Sequence, residues 1–424
     1  MDDKNGIGSA VGDQMKIAVI GAGAAGVFAA IAAANSSRSA EIEILEASHK
    51  PLAKVLISGG GRCNLTNHCF DPAELVKNYP RGSRELLSAF SRFQPRDTME
   101  WFERRGVRLK VEEEGRVFPS TDNSETIVDC LLDEANKYGI KIRTGARVKG
   151  IRLIKGGANS NGFNIALENG ANNRHDRVLL ATGGSSLGHK IAEAMNHTII
   201  PCVPSLFTLK INDERIKGLA GVSFGNAQLS LVEKAKRKIA QSGGLLITHW
   251  GLTGPAVLKL SAWGARVLHD SDYNAEIEIN FLPNRTSDEL YRMLIEYKAR
   301  NSRKRISSAE VLLIPNRYWS RITQVMGIEN ELTWAEITAK MMRGIISELT
   351  HGQFRISGKA TYKEEFVTCG GVDLKEVDFR TMESKICPGL YFAGEILDID
   401  GITGGFNLQN AWTTGWIAGT SMVK

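Results

Sequence analysis

The chain is poor in the features that mark several function classes. It has only six cysteines, at 63, 69, 130, 202, 369 and 387, and no C-x-x-C pair, so neither a zinc site nor a vicinal redox disulfide is indicated. No His/Cys/carboxylate spacing suggests a metal. Charge of one sign is scarce as well. Lys+Arg 53 against Asp+Glu 47 leaves +6, compatible with an anionic ligand but far below a nucleic-acid footprint. No secretory signal is visible, which together with unpaired cysteines points to a reducing cytoplasm. One long uncharged run, Ile17 to Ala34, is broken by Gly21, Gly23 and Gly26, so it predicts a strand, a turn and a helix, and no membrane association.

With 42% hydrophobic and 24% charged content, the 424 residues suffice for two or three domains with real cores. The 43 glycines gather in a few short loops, marking tight backbone sites. Residues 1–14 predict a flexible extension. A strand at Lys16 to Ile20, an alanine-rich helix and an alternating strand at Glu41 to Leu45 then complete a β-α-β unit. Further expectations are a glycine-rich loop over 54–67, helices around 83–105 and 123–138, and strands over 141–152, 163–167 and 177–181. The texture changes between 191 and 360, where strand-like and helical pieces mix, and reverts after 361. The first domain is therefore expected as 15–190 plus 361–424, with 191–360 inserted.

Gly21-Ala22-Gly23-Ala24-Ala25-Gly26 directly follows a strand and precedes a helix. Gly21 permits the turn, Gly23 lets backbone N–H groups approach a pyrophosphate, and Gly26 lets helix and strand lie close. Glu46 stands at the end of the second strand, placed to hydrogen-bond a ribose hydroxyl. This fingerprint alone does not separate FAD from NAD. Its position near the start, with the complementary Leu390 to Glu395 segment near the end, favours FAD, because a long cofactor needs both. Gly401 to Asn407 precedes the last helix, whose N-terminus would stabilise negative charge on the flavin N1/C2 edge; the plainer alternative is a glycine cap.

Ser58-Gly59-Gly60-Gly61 can form a nest of N–H donors, and Arg62 is a natural phosphate or flavin-carbonyl partner. Cys63 reads as a packing residue and not as a nucleophile. In the insert, the Thr248 to Pro255 turn carries His249, Trp250 and Thr253. His249 is a candidate acid or base beside hydride transfer, with structural capping as the alternative. The basic run at 298–305 has no interleaved aromatics and reads as a solvated face.

Taken together, GAGAAG at 21–26, LISGGGRCNLTN at 56–67, LLATGG at 179–184, THWGLTGPAVL at 248–258, TCGGV at 368–372, TMESKICPGLYFAGEILDIDG at 381–401 and TGGFNLQNAWTTGWIAG at 403–419 closely resemble the bacterial aminoacetone-oxidase-like FAD-binding proteins, also called NAD(P)/FAD-dependent oxidoreductases. The resemblance implies an α/β fold: a Rossmann-like FAD-binding domain of glutathione-reductase type, interrupted by a β-plus-helical domain. On matched positions it assigns FAD binding to residues 21–26, Glu46, Ser58 to Asn64, Val148 through its backbone, Ala181, Thr182, Gly183, Gly394, Glu395, Gly404, Gly405, Phe406 and Asn407. Members are associated with amine oxidation by oxygen and with reduction of a bile-acid enone. The expected activity is hydride exchange between flavin N5 and a small organic substrate. With one dinucleotide fingerprint, NAD(P)H would bind only transiently, as electron donor. The alternatives are a tRNA-modifying flavoprotein and a non-catalytic redox sensor; nucleic acid is not the expected partner.

Overall fold

The computed structural model describes residues 14–154, 162–232, 239–307, 312–329, 331–360 and 367–424. Apart from Gln14, the extension expected over 1–14 lies outside the described residues. The chain divides into two compact units, 1–202 with 370–424 and 203–369. The strands Ile199–Ser205 and Val367–Val372 carry the chain through these two switch points, so they fall later than the change in sequence texture at 190 and 360.

The first unit is built on a seven-stranded sheet. Its parallel part runs, in order, Leu390–Phe392, Arg177–Leu180, Lys16–Ile20, Glu41–Leu45 and Lys141–Arg143. Strands from both ends of the chain are thus neighbours. Ile17, Ala18, Val19, Val178, Leu179 and Leu180 are all fully buried, as expected for a parallel sheet covered on both faces. The helix Ala24–Ser36 lies against the closing helix Phe406–Met422. Their axes come close because a side chain on Gly415 would reach within 2.7 Å of the Ala25 carbonyl, and one on Gly419 within 2.2 Å of that of Ala29. Phe28 adds ring contacts to Trp412 and Phe93 at 5.3 and 5.6 Å.

Three local expectations are corrected. The strand expected over 141–152 is two, Lys141–Arg143 in the main sheet and Val148–Ile154 in a separate three-stranded sheet, because Gly145 turns the chain between them. The loop expected from 54 begins helically at Ala53, and leaves the helix at Ser58, where glycines follow. Finally, the helix expected over 83–105 is split into Ser83–Phe90 and Pro95–Glu103, since proline takes the first position of a new helix.

The second unit is a closed barrel of six strands: Leu209–Ile211, Gly251–Thr253, Ile239–Ile247, Ser223–Val232, Asn274–Asn280 and Gly352–Lys359. Closure leaves no unpaired sheet edge. The helices Ser287–Arg300, Asn316–Val325 and Ala339–His351 complete it. They contribute Leu290, Leu294, Tyr318, Trp319, Ile345 and Leu349 to a core shared with Phe224, Phe281 and Trp334. Trp319 donates its indole N–H to the Ile306 carbonyl at 2.6 Å, meeting the polar cost of burying a tryptophan.

Candidate functional site

The residues picked out in the first unit converge on the carboxyl edge of the parallel strands, where open α/β sheets bind ligands. Gly21 adopts φ +105, and a side chain there would strike the Ala181 carbonyl at 2.5 Å; one on Gly26 would meet the Gly21 carbonyl at 2.0 Å. Gly23 differs: nothing lies within 4 Å of the place its side chain would occupy, and no side chain caps the helix it opens. That free helix N-terminus, with its open space, is a ready anion site. Glu46 is held by the Ala22 and Ser48 N–H groups at 2.8 and 2.7 Å, which orients its carboxylate and leaves lone pairs for a hydroxyl. Val148 starts the strand that follows Ala146, whose N–H donates to the Glu46 carbonyl at 2.8 Å.

The second part of the edge is a loop-to-loop weld. Gly59, Gly60, Gly61 and Cys63 all take left-handed backbone, and space around Gly60 and Gly61 is open. Correctly oriented, the Asn64 amide accepts from Gly405 N–H at 3.1 Å and donates to the Thr66 carbonyl. Asn67 donates to the Gly404 carbonyl at 3.1 Å, and Gly405 admits no side chain because Thr66 O would lie 2.3 Å away. Asn407 clasps Gly401 through both its amide atoms, and Tyr79 donates its hydroxyl to the Phe406 carbonyl at 2.7 Å. The glycine loop near the start and the helix N-terminus near the end therefore form one structure.

Between these parts stand Ala181, Thr182, Gly183, Gly394 and Glu395. Glu395 pairs with Lys54 at 2.8 Å, and Gly394 N–H donates to Thr414 Oγ1. The buried side-chain oxygens without a partner among the described residues include Thr182 Oγ1, and Asn410 Oδ1 one turn into the closing helix. An uncapped helix N-terminus, an oriented carboxylate, open glycine backbone and orphaned hydrogen-bonding atoms together suit a long dinucleotide carrying a diphosphate and hydroxyls. The residues present fit FAD.

The structure gives two of the proposed contacts other work. Arg62 is paired with Glu112 at 2.9 Å and Asp122 at 3.3 Å and lies over the Phe118 ring, and Glu112 is held below the usual carboxylate range by it. The Cys63 thiol is fully buried, and burial pushes it up to about 12, far from a nucleophile.

A family model described as "HI0933-like protein Rossmann domain" matches residues 15–421. The chain belongs to the HI0933-like family. Over 96% of its length it is 30% identical to a 3-dehydro-bile acid delta(4,6)-reductase of Clostridium scindens, of which 99% is covered. At the same identity and coverage it matches a ribosomal RNA dihydrouridine synthase of Escherichia coli, covering 97% of that protein. A 3-ketosteroid-delta4-(5alpha)-dehydrogenase from Rhodococcus jostii shares the fold, with 98% of each chain covered, a TM-score of 0.50 and 13% identity. This HI0933-like chain is accordingly a flavoprotein oxidoreductase with a Rossmann-like FAD-binding domain.

In the second unit of this HI0933-like protein, His249 and Trp250 are exposed on the turn Thr248–Gly251. His249 lines a cavity of about 320 Å³ with Asp213, Lys217, Thr248 and Arg317. Among the described residues no ring contact or hydrogen bond to the imidazole is present. Of the basic run, Lys298 donates to the Ile337 carbonyl at 2.7 Å and Arg305 pairs with Glu331, while Arg300, Arg303 and Lys304 are exposed. Sequence reasoning named Thr182 but missed Asn410 and a pair formed by His189 and Cys202. Only the fold brings these together, and no spacing rule signals them.

Proposed function

We propose that this protein is an FAD-dependent reductase that saturates a carbon–carbon double bond conjugated to a carbonyl, drawing electrons from a transiently bound NAD(P)H. The observation that carries it is the single cradle assembled from both chain ends, with one dinucleotide fingerprint and a second helix N-terminus at the far end. In support, two relatives with unrelated substrates bear names that describe one reaction. A 3-dehydro-bile acid with double bonds at 4 and 6 is a conjugated ketone, and dihydrouridine is uridine with its ring double bond saturated.

In this reading residues 21–26 hold the diphosphate, Glu46 a ribose hydroxyl and Val148 the adenine through its backbone. The backbone of Ser58 to Asn64, with Thr182, Gly183, Gly394 and Glu395, holds the middle of the cofactor, and Gly404 to Asn407 the flavin. When bound, FAD supplies hydride chemistry; the positive end of the helix Phe406–Met422 favours the charge that reduction places on the ring. His249 is an auxiliary acid or base in the same proposal, and the finer placement beside aminoacetone-oxidase-like members of the glutathione-reductase type rests on the shared motifs. Six cysteines with no disulfide among the described residues suit a cytoplasmic setting.

A second reading, with a uracil of ribosomal RNA as the substrate, is favoured by the relatives named for it and by the exposed cations at 300–304. Anaerobic reduction of the FAD-loaded protein by NADPH, followed by addition of a 3-oxo-4-ene steroid or of unmodified ribosomal RNA, tests both. Reoxidation of the flavin by the steroid supports a small-molecule reductase, and reoxidation by RNA alone supports the second reading. Flavin that neither reoxidises contradicts both and favours a redox sensor.

A further inference from the structure

We propose that the Cys202 thiol, backed by His189, delivers the proton to the substrate carbon in this reduction; the inference rests on the double-bond reading above. Saturating a conjugated double bond takes a hydride at the β carbon and a proton at the α carbon. The first is the chemistry that FAD supplies, and the second must come from the protein or from water.

Cys202 is exposed on the strand Ile199–Ser205, while His189 on the helix Ser186–Ala194 is 7% exposed and presents Nδ1 to the sulfur at 3.7 Å. The other ring nitrogen, Nε2, is buried, with the Ile396 backbone against the imidazole. The pair sits beside the segment 394–398 of the proposed cradle. A side chain on Gly370 would lie 2.8 Å from Cys202 Cα, and one on Gly371 would lie 2.4 Å from the Ile396 carbonyl. Two backbone spacings thus separate the thiol from the segment 394–398, which leads into the loop at 401–407. The carboxylates facing the thiol are Glu395 and Asp398, both on that segment.

Those surroundings select an acid over a nucleophile. Burial and the two carboxylates raise the thiol above its ordinary value, and burial lowers His189, so the pair rests as neutral S–H beside neutral imidazole. In the step, the S–H bond breaks and a C–H bond forms at the α carbon, as the electron pair of the carbonyl-stabilised carbanion takes the proton. The thiolate left behind recovers a proton from water at the exposed sulfur, and His189 acts as a positioning residue.

The first test is alkylation of the full-length protein by iodoacetamide, with and without saturating FAD, followed by mass spectrometry at Cys202 and at the partly exposed Cys69. The proposal expects FAD to slow Cys202 by about tenfold or more and to leave Cys69 unchanged. An unchanged Cys202 rate places the thiol away from the flavin and overturns the proposal, whatever the substrate. The second test follows reoxidation of the reduced holoprotein by a 3-oxo-4-ene steroid. C202A is expected to slow it by about a hundredfold, with FAD affinity within twofold of wild type. H189Q is expected to slow it less than C202A does. Reoxidation of C202A at the wild-type rate contradicts the proton role. Wild-type protein that no conjugated carbonyl reoxidises defeats the double-bond reading instead, while the alkylation result still decides where Cys202 stands.

Discussion

The two units store their architecture in different kinds of residue. In the first, the decisive contacts are backbone against backbone: Gly21 on Ala181, Gly26 on Gly21, Gly405 on Thr66 and Gly415 on Ala25. In the second they are large side chains, with Tyr318, Trp319, Trp334 and Phe281 in a core that the closed barrel shares with its helices. A backbone contact tolerates only glycine at a fixed place, so it leaves a fixed motif. A core tolerates many residues of suitable volume and leaves only a hydrophobic pattern.

The comparison breaks most visibly at Gly26. G26V drives carbon into the Gly21 carbonyl, and we expect loss of several kcal/mol of stability, at about the 4 kcal/mol mark of exceptional single mutations, together with loss of FAD binding; thermal denaturation checks it. G23A sharpens the point, because its backbone is ordinary and its surroundings are open. Stability should stay within about 0.5 kcal/mol of wild type while FAD affinity falls, as read by flavin fluorescence titration.

In the second unit, W319A removes a fully buried indole and should cost about 3–5 kcal/mol in chemical denaturation, with FAD affinity retained in the folded fraction. T182V removes a hydroxyl that has no partner among the described residues. The apoprotein should gain up to about 1 kcal/mol in stability while FAD affinity drops, a divergence that no purely structural threonine would show.

The smallest effect concerns Glu43, on the edge-side strand of the main sheet. Its carboxylate is held below the ordinary value of 4.5 chiefly by its hydrogen bond with His175, 2.6 Å away. A depressed folded-state value means that the stabilisation is present above pH 4.5 and is lost as pH falls through the folded value. E43Q should therefore flatten the acid limb of the stability profile below about pH 5 and lower stability near neutrality by about 1 kcal/mol.

The β-α-β unit was legible because strand, turn, helix and acid occur in unbroken order, and Glu46 does orient on Ala22 and Ser48. The joining of residues 56–67 to 401–407 was legible as two glycine-rich loops. Its mechanism was not, because it depends on Asn64 and Asn67 reaching across some 340 residues of chain to Gly405 and Gly404. Arg62 looked free for a phosphate in sequence, whereas two carboxylates brought in by the strand–turn region at 109–122 engage it. Strand-like and helical pieces were legible between 191 and 360, but their closure into one barrel was not, and the helix Asn316–Val325 carries polar residues on most of its positions. The pair of His189 and Cys202 belongs to two elements whose contact no local pattern encodes.

The central claim is that both ends of this chain form one FAD cradle, and the most direct measurement is an absorbance titration of the purified protein with FAD, alongside G23A. The account predicts a perturbed flavin spectrum saturating at about one FAD per chain for wild type, and weakened binding for a G23A protein that unfolds at the wild-type temperature. A wild-type protein that retains no flavin after reconstitution, or a G23A protein that binds FAD as tightly as wild type, would contradict it.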